Sequence, residues 1–251
     1  MEKEYMNRKD IKRELEKETK KYNSNSKKKS LITNKDFTEK NIELTPRQHE
    51  LYKLIRNNTI TTVQGPAGTS KTFTACYTAL RLLADKKIEK IVLTKPIKES
   101  GEELGFLPGN LEEKVQPFMR SYISNFEKIL NKQTISFLKS TEVITVEPLA
   151  YMRGITYDDS IILLDEAQNT TIKQLMLWIT RLGKNSKAVL MGDISQFDIK
   201  EKDSKFLDFI QMLNGIESIV NFEFNSEDIV RNKILIEIVN RYEQKFKKEK
   251  N

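Results

Sequence analysis

Gly65-Pro66-Ala67-Gly68-Thr69-Ser70-Lys71-Thr72 is the stretch that decides how this chain folds. The segment before it, Thr59-Ile60-Thr61-Thr62-Val63, is β-prone, and Phe73 to Leu83 after it reads as a helix. A glycine-rich turn between a strand and a helix is the setting of a P-loop. There, backbone N–H groups of the turn and of the first helical turn converge on one spot, and the helix dipole favours a polyanion. In such a loop Lys71 supplies a point charge for the β- and γ-phosphates, and the Thr72 hydroxyl ligates magnesium (Mg²⁺). The competing reading is a Gly/Pro turn that caps an ordinary helix.

The stretch departs from the usual G-x-x-x-x-G-K-[ST] pattern at one place. Ser70 stands where the second glycine belongs, and that glycine lets backbone approach phosphate with no Cβ in the way. Serine is the smallest replacement that keeps a donor. The expectation is an altered but competent loop, with Gly65, Pro66, Ala67, Gly68, Thr69, Ser70, Lys71 and Thr72 around the phosphates.

Working outward, 251 residues suit one core domain with tails. The longest apolar runs, such as Ile161-Ile162-Leu163-Leu164, are too short to span a bilayer, and the charged N-terminus has no apolar leader. A single cysteine, Cys76, excludes an internal disulfide and reads as a packed small hydrophobe. These points lead us to expect a soluble cytoplasmic protein with no membrane partner. The net charge of +7 is uneven: residues 1–40 carry 13 Lys/Arg against 8 Asp/Glu, and residues 241–251 carry 5 against 2. The body between is therefore close to neutral. The basic excess sits on tails, where a solvated face explains it as well as RNA or DNA does.

The organisation follows from composition and period. Residues 1–40 read as a charged, flexible extension, with a polar linker through Asn23 to Ser30. The domain is expected over 41–243, with a basic tail over 244–251. Within it, short apolar strands at Ile91–Thr94, Val143–Val146, Ile161–Leu164, Ala188–Met191 and Ile219–Phe224 alternate with helices. The helices are placed at about Leu111–Leu130, Thr171–Leu182, Lys205–Leu213 and from Ile229. That alternation predicts an α/β fold: a parallel sheet covered by helices on both faces. Ligands of such sheets bind at the C-terminal ends of strands.

Two further strand ends carry chemistry. Ile161 to Leu164 runs into Asp165-Glu166-Ala167-Gln168. Asp165 suits the magnesium partner of a Walker B strand, and Glu166 is placed to orient an attacking water. The plainer account is a strand that ends in a polar turn. The strand Ala188-Val189-Leu190-Met191 ends in Gly192-Asp193-Ile194-Ser195-Gln196, where Gln196 suits a γ-phosphate sensor, and loop solvation competes with that role.

Taken together, these residues resemble the PhoH family, cytoplasmic P-loop ATPases of bacteria and their phages. The match covers roughly residues 44 to 243. It rests on the loop, on Gly101-Glu102, on Leu104-Gly105-Phe106-Leu107-Pro108-Gly109 and on Pro148-Leu149-Ala150-Tyr151-Met152-Arg153-Gly154. It also rests on Asp165-Glu166-Ala167-Gln168-Asn169-Thr170-Thr171, Thr180-Arg181, Gly192-Asp193 with Gln196, and Val230-Arg231. The resemblance implies a single RecA-like P-loop NTPase domain, similar to the first motor domain of superfamily one helicases. It further implies ATP binding and hydrolysis with Mg²⁺, a ring-shaped homo-oligomer, and a link to RNA metabolism or phosphate limitation. Lys95 stands where the family often has arginine, so a bidentate contact becomes a point-charge contact.

By analogy with those helicases, Gln48 reads the adenine edge, although a surface glutamine beside a helix start is the plainer account. One lobe leaves the γ-phosphate side open, so hydrolysis calls for an arginine from elsewhere. Arg231 and Arg181 are the two candidates, with Arg153 as a third arginine in the Met-Arg-Gly turn. Among the aromatics, Tyr151 and Phe106 suit base stacking, whereas Trp178 lies at helical spacing with Leu175 and Leu182 and reads as core.

Overall fold

The computed structural model describes residues 42–96, 111–194 and 204–230, with the isolated positions 234, 236–238 and 241. Its elements in chain order are α1 (Pro46–Asn57), β1 (Ile60–Gln64), α2 (Lys71–Ala84), β2 (Lys90–Thr94), α3 (Leu111–Ile129) and α4 (Lys132–Ser140). There follow β3 (Ile144–Val146), β4 (Ser160–Leu164), α5 (Ile172–Ile179), β5 (Lys187–Gly192), α6 (Phe206–Leu213) and β6 (Ile219–Glu223). The six strands form one sheet in the order β3-β2-β4-β5-β1-β6, and every pairing is parallel.

Period-two alternation sorts each strand between two cores. Ile161 and Leu163 of β4, Val189 and Met191 of β5, and Ile91 and Leu93 of β2 face a layer built from α1 to α4. Their neighbours Ile162 and Leu164, Ala188 and Leu190, and Val92 face a layer built from α5, α6 and the 3₁₀ turn Leu149–Met152. Both faces are thus covered, which is why these strands read as unbroken apolar runs. Trp178 is fully buried in the second layer, as its spacing predicts.

Two helices within the described residues differ from the sequence expectation, and the helix expected from Ile229 falls largely outside them. α4 has no counterpart there: it buries only Ile135 and Leu138, too sparse a stripe to stand out. Its start is fixed by Asn131, whose Oδ1 accepts the Thr134 N–H at 2.8 Å. α5 ends at Ile179 rather than Leu182, where the Arg181 and Leu182 N–H groups turn to Trp178 O and Ile179 O in tighter bonds and side chains join at the last carbonyls. Thr180 Oγ1 donates to Met176 O at 2.8 Å and Arg181 Nε donates to Leu177 O at 3.1 Å. No described helix is long and apolar enough to cross a membrane.

Sheet order positions the site. β1, β5 and β4 are consecutive in the sheet, so the loops after Gln64, Gly192 and Leu164 emerge side by side at one edge. β5 stands between the glycine-loop strand and the carboxylate strand.

Candidate functional site

The glycine loop is shaped from below and behind. Gly65 has φ +149, and a Cβ there would lie 2.7 Å from Phe224 Cβ and 2.8 Å from Phe224 O. The chain leaving β6 is held in that place by Phe224 N–H, which donates to Gln64 O at 2.9 Å. Gly68 has φ +92, and its carbonyl accepts the Val230 N–H at 3.1 Å. Inside the turn the buried Thr69 donates from Oγ1 to Pro66 O at 2.9 Å. Gly65→Ala is expected to lower stability by about 3 kcal/mol, a fall in Tm of roughly 6–12 °C in a thermal melt. Gly154→Ala is the control: nothing lies within 4 Å of a Cβ there. It should lose only the strain of its positive φ, about 1 kcal/mol.

Ser70 precedes α2 with φ 65 and ψ 30. That left-handed conformation costs a residue with a Cβ about 1–2 kcal/mol, so the backbone shape of the missing glycine is kept by a serine. Its side chain makes no cap bond to α2, which leaves the first-turn N–H groups clear of a side-chain cap. Lys71 Nζ donates to the loop's own carbonyls, Gly65 O at 2.5 Å and Pro66 O at 3.0 Å.

The carboxylates meet this loop from β4. Thr72 Oγ1 donates to Asp165 Oδ2 at 3.0 Å, so the two residues expected to share a metal are in contact. Lys95 Nζ lies 3.4 Å from the same oxygen and 5.6 Å from the Tyr122 ring centroid, and Asp165 is buried. A hydroxyl and a carboxylate are hard oxygen donors of the kind Mg²⁺ takes one or two at a time, the remainder coming from water and phosphate. Among the described residues no group of three or more His, Cys, Asp or Glu could hold a metal unaided. The donor set therefore fits a phosphate-bound Mg²⁺ better than a metal in a protein cage.

Glu166 is itself left-handed, with φ 57 and ψ 36. Its Oε2 accepts Gln168 Nε2 at 2.8 Å, and Gln168 Oε1 accepts the Asp193 N–H at 3.0 Å. Gln168 is buried and links the carboxylate after β4 to the tip of β5. Sequence reasoning missed this role; the signal was its place in Asp-Glu-Ala-Gln, two residues beyond Glu166. Tyr122 was missed too. From α3 its buried hydroxyl donates to Thr94 O at 3.1 Å, beneath Lys95 and Asp165. Burial pushes the Tyr122 phenol well up. Burial, with Asp165 nearby, does the same to the Cys76 thiol, which supports packing over reactivity.

A cleft of about 500 Å³ joins these groups. Gln48, Ser70, Lys71, Thr72, Asp165, Glu166 and Asp193 line it, with Asn125 and Lys128 of α3 as further polar walls that no motif foretold. Gln48 is buried at its edge, but Gln48 Oε1 accepts the Thr45 N–H at 3.1 Å. With the Gln48 N–H donating to Thr45 Oγ1 at 3.3 Å, this is a capping box. Capping alone thus accounts for the Thr45–Gln48 spacing and engages one acceptor site of the amide.

The arginines separate. Arg181 lies beyond the far end of α5, beside the start of β4, because Tyr157 N–H donates to Arg181 O at 2.9 Å just before that strand begins. Its guanidinium donates to Leu177 O, Ile155 O and Thr180 Oγ1. Within its own chain it stands at the edge opposite the cleft. Arg231 and Gln196 lie outside the described residues, as does Phe106, but Val230 lines the cleft. Tyr151 is 52% exposed and Arg153 is exposed, both in the segment after β3.

The sequence model of the family described as PhoH-like protein matches residues 42–243. The chain is 40% identical over 201 residues to the PhoH-like protein of Bacillus subtilis, covering 80% of this chain and 63% of the relative. It is 42% identical over 199 residues to that of Mycobacterium tuberculosis, covering 79% and 56%. To protein PhoH of Escherichia coli it is 32% identical over 193 residues, covering 76% and 54%. The chain thus matches about half to three fifths of the length of these relatives. Among solved structures, the large terminase of a thermophilic bacteriophage superposes with a TM-score of 0.53 at 10% identity, over 80% of this chain and 50% of that one. At that identity the likeness speaks for the fold, a RecA-like α/β domain.

Proposed function

The chain belongs to the PhoH-like protein family, and from that premise we propose that it is a Mg²⁺-dependent ATPase acting in the cytoplasm. The observation that carries the proposal is the 3.0 Å contact of Thr72 Oγ1 with Asp165 Oδ2 beneath the glycine loop, with Glu166 in the same cleft.

In this reading the loop amides and the first turn of α2 bind the α- and β-phosphates. Lys71 exchanges the Gly65 and Pro66 carbonyls for β- and γ-phosphate oxygens. Thr72 and Asp165 hold Mg²⁺, which when bound offsets phosphate charge. Glu166, steadied by Gln168, takes the proton of the attacking water as that oxygen bonds to the γ-phosphorus and the bond to ADP breaks. The charge that develops on the γ-phosphoryl group calls for an arginine. Arg231, which follows the cleft residue Val230 of its own chain, is our choice, and a homo-oligomeric ring is the assembly we propose. A single-stranded nucleic acid, RNA first, is the partner we assign to exposed Tyr151 and Arg153, an aromatic ring and a cation two residues apart in the chain. Gln196 is kept as the sensor and Gln48 as the adenine contact.

The test is phosphate release from ATP. Removal of divalent cations with EDTA is expected to lower turnover at least roughly hundredfold. Asp165→Asn is expected to raise the Mg²⁺ concentration for half-maximal rate about tenfold or more. Equal turnover with and without EDTA would sink the metal assignment. The other reading, a nucleotide switch that does not hydrolyse, draws on Ser70 alone; wild-type protein that binds ATP and releases no phosphate would establish it.

A further inference from the structure

Ser70 behaves unlike the residues whose side chains cap α1, α4 and α5. Thr45, Asn131 and Thr171 precede α1, α4 and α5 in extended backbone, and each accepts an N–H of its own helix through the side chain. Serine is as strong a capping residue as these. Ser70 nevertheless sits left-handed before α2, makes no cap bond, and lines the cleft with Lys71, Thr72 and Asp165. Only its carbonyl is engaged, by Thr74 N–H and Thr74 Oγ1, both at 2.9 Å. A glycine would hold the same backbone without strain. What serine adds at this position is a hydroxyl on a residue that lines the cleft.

The geometry points to Ser70 as a binding residue in its own right: its hydroxyl donates to a phosphate oxygen of the bound nucleotide, alongside the loop amides. The inference rests on the nucleotide reading above and deepens it. It makes this loop a tighter holder of nucleoside diphosphate than a loop with glycine would be, at the expense of stability in the free protein. A donor hydrogen bond to a charged oxygen corresponds to roughly tenfold in affinity.

The test is calorimetric titration of the full chain with ADP and Mg²⁺, paired with thermal melts in the absence of nucleotide. Ser70→Gly is expected to melt roughly 2–4 °C higher, because the left-handed strain is gone, and to bind ADP about tenfold more weakly. Ser70→Ala should show the same weakening with no rise in Tm. The opposed effects of the glycine variant are what a purely structural role would not produce. Ser70→Gly protein that binds ADP as well as wild type, or better, overturns the inference and makes the side chain an obstruction. An unchanged Tm overturns the claim that strain is retained for the hydroxyl. Lys71→Ala keeps the two levels apart. If wild type takes up no ADP, or Lys71→Ala takes it up normally, the nucleotide reading itself fails. With those controls as expected, the Ser70 variants alone decide.

Discussion

Lys71→Ala is expected to weaken ATP and ADP binding at least roughly hundredfold, because two charge-assisted contacts to phosphate are lost together. The fold should survive the change. In the free protein the ammonium group bridges Gly65 O and Pro66 O on a partly exposed loop. Losing those bonds costs about 1 kcal/mol. Calorimetry with Mg²⁺ and a thermal melt of the same sample check both halves. Undiminished uptake by a folded Lys71→Ala protein would remove the loop from the site.

Glu166→Gln is expected to divide binding from chemistry. Phosphate release at saturating ATP should fall about 10²- to 10³-fold, since a general base is lost, while the Kd for ATP stays within about threefold. The substitution is unusually clean here. The Glu166 side chain accepts from Gln168 Nε2, and a glutamine at 166 can offer its carbonyl to the same donor. Position is kept and basicity is removed. Single-turnover phosphate release set against calorimetric affinity reads the two effects separately. A variant as active as wild type would refute the assignment of Glu166.

The parts of the site that were legible in the sequence are those carried by local rules. An apolar run, Ile161 to Leu164, that ends in Asp165-Glu166 reads as a buried strand with its carboxylates at the sheet edge, and β4 is that strand. Thr72 and Asp165 are 93 positions apart, yet the P-loop and the carboxylate strand imply their meeting through the architecture, and they meet at 3.0 Å. Relations between elements were not legible. Nothing in the glycine pattern says that Gly65 is needed because Phe224 packs against it. Arg181 shares a sequence neighbourhood with the Asp165-Glu166 motif, but α5 runs back across the sheet and delivers it to the opposite edge. α4 escaped because two apolar anchors and an asparagine cap make no visible period. Gln168 escaped because its partner, the Asp193 amide, comes from another strand.

The place of β1 in the sheet bears on how the protein is made. β1 is flanked only by β5 and β6, which the ribosome produces much later in the chain. During synthesis β1 and the loop that follows it therefore wait, unpaired on both sides, while α2, β2 and β4 are already out. Contacts so distant along the chain slow the final closure of a parallel sheet. The glycine loop cannot take its final shape until β5, β6 and Phe224 have been made.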